Sequence, residues 1–256
     1  MTRKYDEGYA DLHTHILPSV DDGPKDMNEA MELVRMAYED GTRIIFLTPH
    51  YRGRWRKNTP EELDRIFSQL REETSARYPD LELYLGNEIH WETAVPDLLE
   101  EGRVLTLGKG DYCLLEFRSV ALRAQVIGGV SECTRCGYIP IIAHAERYEI
   151  FRRDKSLTKE VLAMGALVQL NADSILGKNG WGVRRFCHRL LKNQQVHFIA
   201  SDAHDAQNRP PLLGQCRKMV DRRYGSEYAG LLFVHNPRAI LNISMTEEGD
   251  SYGKSE

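Results

Sequence analysis

The chain has 256 residues, of which 41% are apolar and 28% charged, and a net charge of −4. This fits a water-soluble protein with a sizeable core and disfavours a nucleic-acid binder that works through a broad basic surface. No run of roughly 18 apolar residues occurs and MTRKYDEGYADLH lacks an apolar signal core, so no membrane insertion and a cytoplasmic location are expected. The cysteines, 5 in number, read as free thiols of a reducing compartment.

Strand-like apolar runs alternate with segments of helical period from end to end. ADLHTHIL ends in His13 and His15; the turn DDGP follows, and DMNEAMELVRMAYED, Asp26 to Asp40, has helical spacing. RIIFLTPHY finishes on His50 and runs into a basic loop, HYRGRWRKN. A helix is then expected from Pro60 to Arg77, with Thr59 as N-cap and Pro60 at its first position. LELYLGNEI brings Glu88, with His90 just beyond it, and DYCLLEF brings Glu116. After a helix at Ala121 to Cys136 comes YIPIIAHAE, with His144 and then Arg147. A helix at Leu157 to Met164 precedes ALVQLNADSI, a run that ends on no such residue. After a helix at Gly182 to Asn193, VHFIASDAH ends in Asp202 and His204, and a last helix is expected from Pro211 to Tyr224. The rhythm recurs about seven times, which fits a (β/α) barrel or a distorted relative better than an open sheet. Residues 1–245 read as a single domain, and TEEGDSYGKSE, 246–256, as a polar disordered tail.

Six of the seven runs finish on a residue type that binds divalent metals, and five of the nine histidines are used this way. In a parallel barrel all those ends meet on one face. Taken singly, each has a plainer reading: a strand-end histidine held by a hydrogen bond, Glu116 as an edge charge, Asp22 and Asp202 as helix caps. Taken together, the plain readings would crowd carboxylates and imidazoles at one mouth with no cation between them. Positions i and i+2 share a strand face, so His13 and His15, like Asp202 and His204, can reach one ion. The mixture suits Mn, Fe, Co or Zn rather than a calcium cage, and its surplus of ligands predicts two or three ions with a bridging carboxylate.

The series HTH, DDGP, TPH, GNE, LLEF, IAHAERY and ASDAH followed by NRPP closely resembles the PHP (polymerase and histidinol phosphatase) superfamily. Within it, the chain is similar to the metal-dependent protein tyrosine phosphatases of bacterial capsule and exopolysaccharide operons, the CpsB/YwqE type, over Ala10 to Ile240. The resemblance implies an α/β fold, a distorted TIM-like (β/α)7 barrel, with three divalent ions, Mn2+ first and Fe, Co, Zn or Mg as alternatives. It assigns His13, His15, Glu88 and Asp202 to the first ion; Glu88, Glu116 and His144 to the second; Asp22, His50 and His204 to the third. His90 departs from the family's usual aromatic and is read as a supporting or surface residue. Arg147 and Arg209 are implied as phosphate-gripping forks, around a water activated by the ions that attacks phosphorus in line. His204 or a metal-bound water is a candidate to assist the leaving group. The implied substrate is a phosphotyrosine protein, in particular the tyrosine-rich tail of a bacterial tyrosine kinase that controls polysaccharide export.

A histidinol-phosphatase-like small-molecule phosphatase would use the same cluster, and a non-catalytic or nuclease PHP module is a third possibility. Cys216 and Arg222 have the Cys-x5-Arg spacing of cysteine-dependent phosphatases, but QCRKMVDR has no glycine and a helical pattern, so its amides could not wrap an anion. Cys133-x-x-Cys136 is read as structural for lack of further ligands nearby. The loop HYRGRWRKN is either a solvated loop or a docking surface on which Trp55 stacks against substrate. Oligomeric state cannot be read from the sequence.

Overall fold

The structure, a computed structural model, describes residues 8–53, 55 and 58–241. The expected polar tail and three positions of the basic loop lie outside them. In chain order the strands are β1 (Tyr9–Thr14), β2 (Thr42–Leu47), β3 (His50–Tyr51), β4 (Glu82–Leu85), β5 (Glu88–His90), β6 (Tyr112–Glu116), β7 (Ile139–Ile142), β8 (Leu167–Asn171) and β9 (Phe198–Ala200). All pair in parallel, in the orders β1-β2-β4 and β3-β5-β6-β7-β8-β9.

The two sheets form one wall. β2 and β3 are the halves of RIIFLTPHY, interrupted at Thr48-Pro49, where proline has no N–H for the ladder. β4 and β5 are the halves of LELYLGNEI, interrupted at Gly86-Asn87. Thr48 N donates to Thr14 O at 2.8 Å and Gly86 N to Leu47 O at 2.9 Å, which carries the pairing across both breaks. Asn87 spans the second break, donating to Pro49 O and accepting from Leu105 N, each at 2.9 Å. The seven expected runs therefore become seven staves in sequence order. The ring closes where His15 N donates to Ala203 O at 2.8 Å and Asp202 N to His13 O at 2.9 Å, giving the expected distorted (β/α)7 barrel.

Alternate residues fill the interior: Ala10 and Leu12, Ile44 and Phe46, Tyr112 and Leu114, Ile141 and Ala143, Phe198 and Ala200. Their neighbours Ile45 and Leu47, or Leu115, Ile142, Val168 and Ile199, pack outward under helices. Those helices are α1 (Met27–Asp40), α2 (Pro60–Arg77), α3 (Val95–Glu100), α4 (Arg123–Arg135), α5 (Glu149–Arg153), α6 (Leu157–Ala163), α7 (Ala172–Leu176), α8 (Trp181–Lys192), α9 (Gly214–Tyr224) and α10 (Ser226–Gly230). The six expected helices are α1, α2, α4, α6, α8 and α9. α3, α5, α7 and α10 escaped the reading because 5 or 6 residues are too few to show a helical period. Caps set the long helices: Thr59 and Glu62 form the capping box of α2, and Gly41, left-handed at φ 107°, ends α1.

Candidate metal centre

The nine expected ligands meet at the C-terminal end of the barrel. His13 Nε2 stands 3.2 Å from His15 Nε2 and 3.5 Å from both Glu88 Oε1 and Asp202 Oδ1. Glu88, fully buried, is the hub: its oxygens also lie 3.3 Å from His15 Nε2, 2.7 Å from His50 Nδ1 and 2.7 Å from His144 Nε2. Asp22 Oδ1 is 3.4 Å from His50 Nε2 and 3.4 Å from His204 Nε2.

Four sets have ligand atoms close enough to share an ion: His15, Asp22, His50 and His204; His13, His15 and Glu88; His13, His144 and Asp202; His50, Glu88 and Glu116. The first contains the expected third-ion ligands whole, and the next two share out those of the first ion. The expected second set is divided: Glu116 groups with His50 and Glu88, and His144 with His13 and Asp202. Two contacts accompany that division. Arg52 Nη1 lies 2.6 Å from Glu116 Oε1, and His144 reaches the other side of Glu88. His90 Nδ1 is 3.3 Å from Glu116 Oε2, a supporting contact.

The donor geometry fits cations. His50 Nδ1 and Glu88 Oε2 are 2.7 Å apart, yet neither has an aligned hydrogen bond, and His204 Nε2 and His144 Nδ1 are likewise buried without one. Lone pairs that crowd together without pointing at one another suit a shared third centre. The charges agree. Burial would raise Glu88, but His13, His50 and His144 hold it well below the usual carboxylate range. Asp202 is similarly buried and held low by His13, Arg147 and Arg209. Burial opposes protonation of His15, but Asp21 and Glu88 overcome it and push its pKa up to about 10. Burial and the neighbouring His15 push His204 down to about 4.

Both arginines of the implied phosphate grip reach the mouth. Arg147 Nη2 and Arg209 Nη2 meet the same atom, Asp202 Oδ2, at 2.9 and 2.6 Å. Trp55 stacks on the His50 ring, centroids 5.2 Å apart, and the Arg52 guanidinium carbon lies 5.4 Å from the Trp55 ring centroid. Arg54, Arg56 and Lys57 of the basic loop fall outside the described residues. Cys216 is buried within α9, where burial raises its thiol pKa, so no phosphate loop forms there. Among the described residues, no cysteine joins a metal-ligating set.

The sequence reading missed two supports. Asp21 accepts from His15 Nδ1 at 2.7 Å and from His50 N at 3.0 Å, fixing which imidazole nitrogen of His15 faces the site. β8, the stave without a ligand, supplies an amide relay. Asn171 Nδ2 donates to Asp202 Oδ2 and Gln169 Nε2 to Asn171 Oδ1, both at 2.8 Å. Gln169 Oε1 accepts from His144 N at 2.6 Å and faces His13 Nδ1 at 3.3 Å. Two polar residues at alternate positions of an otherwise apolar run were a legible signal for it.

Residues 9–242 match the family model for capsular polysaccharide synthesis, CpsB/CapC. The tyrosine-protein phosphatase CpsB of Streptococcus agalactiae serotype V is 33% identical over 237 residues, 90% of this chain and 97% of the relative. The tyrosine-protein phosphatase YwqE of Bacillus subtilis is 31% identical over 231 residues, 90% of this chain and 91% of the relative. Among solved structures, the crystal structures of YwqE from B. subtilis and CpsB from Streptococcus pneumoniae, described as unique metal-dependent tyrosine phosphatases, match with TM-score 0.86 and 30% identity. That match covers 91% of this chain and 94% of the other. A phosphotriesterase from Mycobacterium tuberculosis shares the fold at TM-score 0.62 and 11% identity, covering 93% of this chain and 95% of its own.

Proposed function

The chain belongs to the CpsB/CapC family of capsular polysaccharide synthesis and is a metal-dependent protein tyrosine phosphatase; from that premise we propose how its own residues perform the reaction. Three divalent ions, Mn2+ in the first place, would be held by His13, His15, Asp22, His50, Glu88, Glu116, His144, Asp202 and His204, with Glu88 shared because it touches four imidazoles. When bound, such ions acidify a water and neutralise phosphate charge.

Arg147 and Arg209 leave Asp202 to fork onto the phosphate oxygens, placing phosphorus over the cluster and offsetting the charge that builds up in the transition state. Asp21 keeps His15 oriented, and Asn171 keeps Asp202 in place when the arginines turn to substrate. Burial and the neighbouring His15 hold the His204 pKa down to about 4, and its Nε2 faces Asp22 Oδ1 at 3.4 Å, the position from which it would reach the third ion. A phenolate leaving group, whose conjugate acid has a pKa of about 10, departs without much protonation.

The observation that carries this reading is the convergence of nine ligand side chains and two arginines on one end of the barrel. The substrate is a phosphotyrosine protein; a bacterial tyrosine kinase tail of the capsule or exopolysaccharide system is the proposed physiological partner. We place the enzyme in the cytoplasm as one domain over residues 1–245; among the described residues no helix is long and apolar enough to cross a membrane. The test is turnover of a phosphotyrosine peptide beside histidinol phosphate. Chelation or His13→Ala should abolish peptide turnover and Cys216→Ser should leave it intact; the reverse pattern, or a preference for histidinol phosphate, overturns the proposal.

A further inference from the structure

Among the described residues the large exposed apolar side chains are Val120, Leu122, Trp181, Leu212 and Leu231. The first four stand at the same end of the barrel as the metal centre. Val120 and Leu122 lie between Glu116, the last residue of β6, and α4; Leu212 comes three residues after Arg209. Trp181 is the first residue of α8, which starts at the site end because it must carry the chain back to the start of β9.

These side chains flank the two phosphate-gripping arginines. Glu149 N donates to Ser119 O at 3.0 Å, tying the Val120 segment to the one that carries Arg147. The turn Ala145–Arg147 packs in turn against α8. Cations accompany the apolar groups: Arg118, Arg184 and Arg185 are exposed on the same two segments, with no carboxylate partner among the described residues. The Arg185 guanidinium lies 5.3 Å from the Trp181 ring centroid. On a chain of net charge −4, this makes the face locally cationic.

We infer that this apolar and cationic rim docks the polypeptide on either side of the phosphotyrosine, selecting segments that place apolar or aromatic side chains next to acidic ones. The inference rests on the phosphatase reading above. With the phosphate held by Arg147 and Arg209, an extended peptide advancing about 3.3 Å per residue crosses the rim within a few residues in each direction. Its apolar side chains then cover Val120, Leu122 and Trp181, and its carboxylates meet the three free arginines.

The test compares three substrates: p-nitrophenyl phosphate, which has no flanks; a phosphotyrosine peptide flanked by Gly and Ser; and one flanked by Tyr, Leu and Glu. Wild type should prefer the last peptide. Val120→Ser with Leu122→Ser, and separately Trp181→Ala, should cut kcat/KM on that peptide by about fivefold to tenfold, the scale of one or two lost apolar contacts, and leave p-nitrophenyl phosphate turnover unchanged. Equal turnover of both peptides by wild type, or variants that slow all three substrates alike, overturns the rim. Concentration-dependent self-association that the variants abolish would assign the surface to a second copy instead. Failure of wild type on every phosphotyrosine substrate would instead strike the phosphatase reading itself.

Discussion

Asp26 accepts hydrogen bonds from Asn28 N at 2.9 Å and Glu29 N at 3.0 Å, which makes it the N-cap of α1. Asp22, four residues earlier, has no cap to make and faces His50 and His204 instead. The two acids should separate cleanly on mutation. Asp26→Ala should cost about 1 kcal/mol of stability and leave bound metal unchanged. Asp22→Ala should lower bound metal by about one ion per chain and activity by about tenfold to a hundredfold, read by elemental analysis and phosphopeptide turnover. Equal ion counts in the two variants would remove Asp22 from the cluster. His144 and Asp202 carry a second residue-scale feature: both adopt positive φ, 30° and 56°, in the region L-residues avoid. By strand alternation His144 should share its face with Ile142, which packs outward; the left-handed turn brings its ring to Glu88 instead.

At the scale of elements, β1 slips register between Asp11, paired with Ile45, and Thr14, paired with Leu47. That inserts one extra residue, a bulge, so Ala10 and Leu12 fill the barrel interior while His13 and His15 also turn to the site. The i and i+2 spacing of the two histidines was legible in the sequence; the flip of parity that aims them was not, because it depends on the partner strand. The turn DDGP depends on close backbone approach. A Cβ on Gly23 would stand 2.0 Å from His15 O, so Gly23→Ala should push the turn, with Asp21 and Asp22, away from His15. The expected result is fewer ions bound per chain and a melting temperature lower by several degrees, the scale of about 1–3 kcal/mol in a chain of this size. Wild-type metal content in that variant would show the turn to be tolerant.

For the molecule as a whole, the cluster links metal, protons and stability. The folded-state pKa of His15 is raised from 6.5 to about 10, so its contribution to the metal-free fold is complete below about 6.5 and is lost as pH rises toward 10. Glu88 and Asp202 are held low, so their contributions are present above the ordinary carboxylate range and are lost only in acid. Ions must displace the imidazole protons, so binding strengthens as pH rises. Thermal melts with and without EDTA should therefore diverge further at pH 9 than at pH 6.5, and loading should release protons, seen as a buffer-dependent binding enthalpy. A gap that narrows with rising pH would contradict this.

Much of this protein was legible before any coordinate. The continuous apolar runs, their number and the metal-binding residues at their ends determined a parallel barrel with a metal mouth, because burial on both faces and convergence of strand ends follow from local pattern alone. Thr59 and Pro60 marked a helix start by their own chemistry, and α2 begins there. Only the tertiary structure decided how the candidate ligands group, that Asp21 and the Gln169–Asn171 relay contact them, and that two runs break part-way along the wall. Those outcomes depend on atoms far apart in the chain, such as Asn171 on Asp202 or Thr48 on Thr14. A periodicity describes the face a residue takes relative to its neighbours in sequence, and carries no information about which other strand will meet that face.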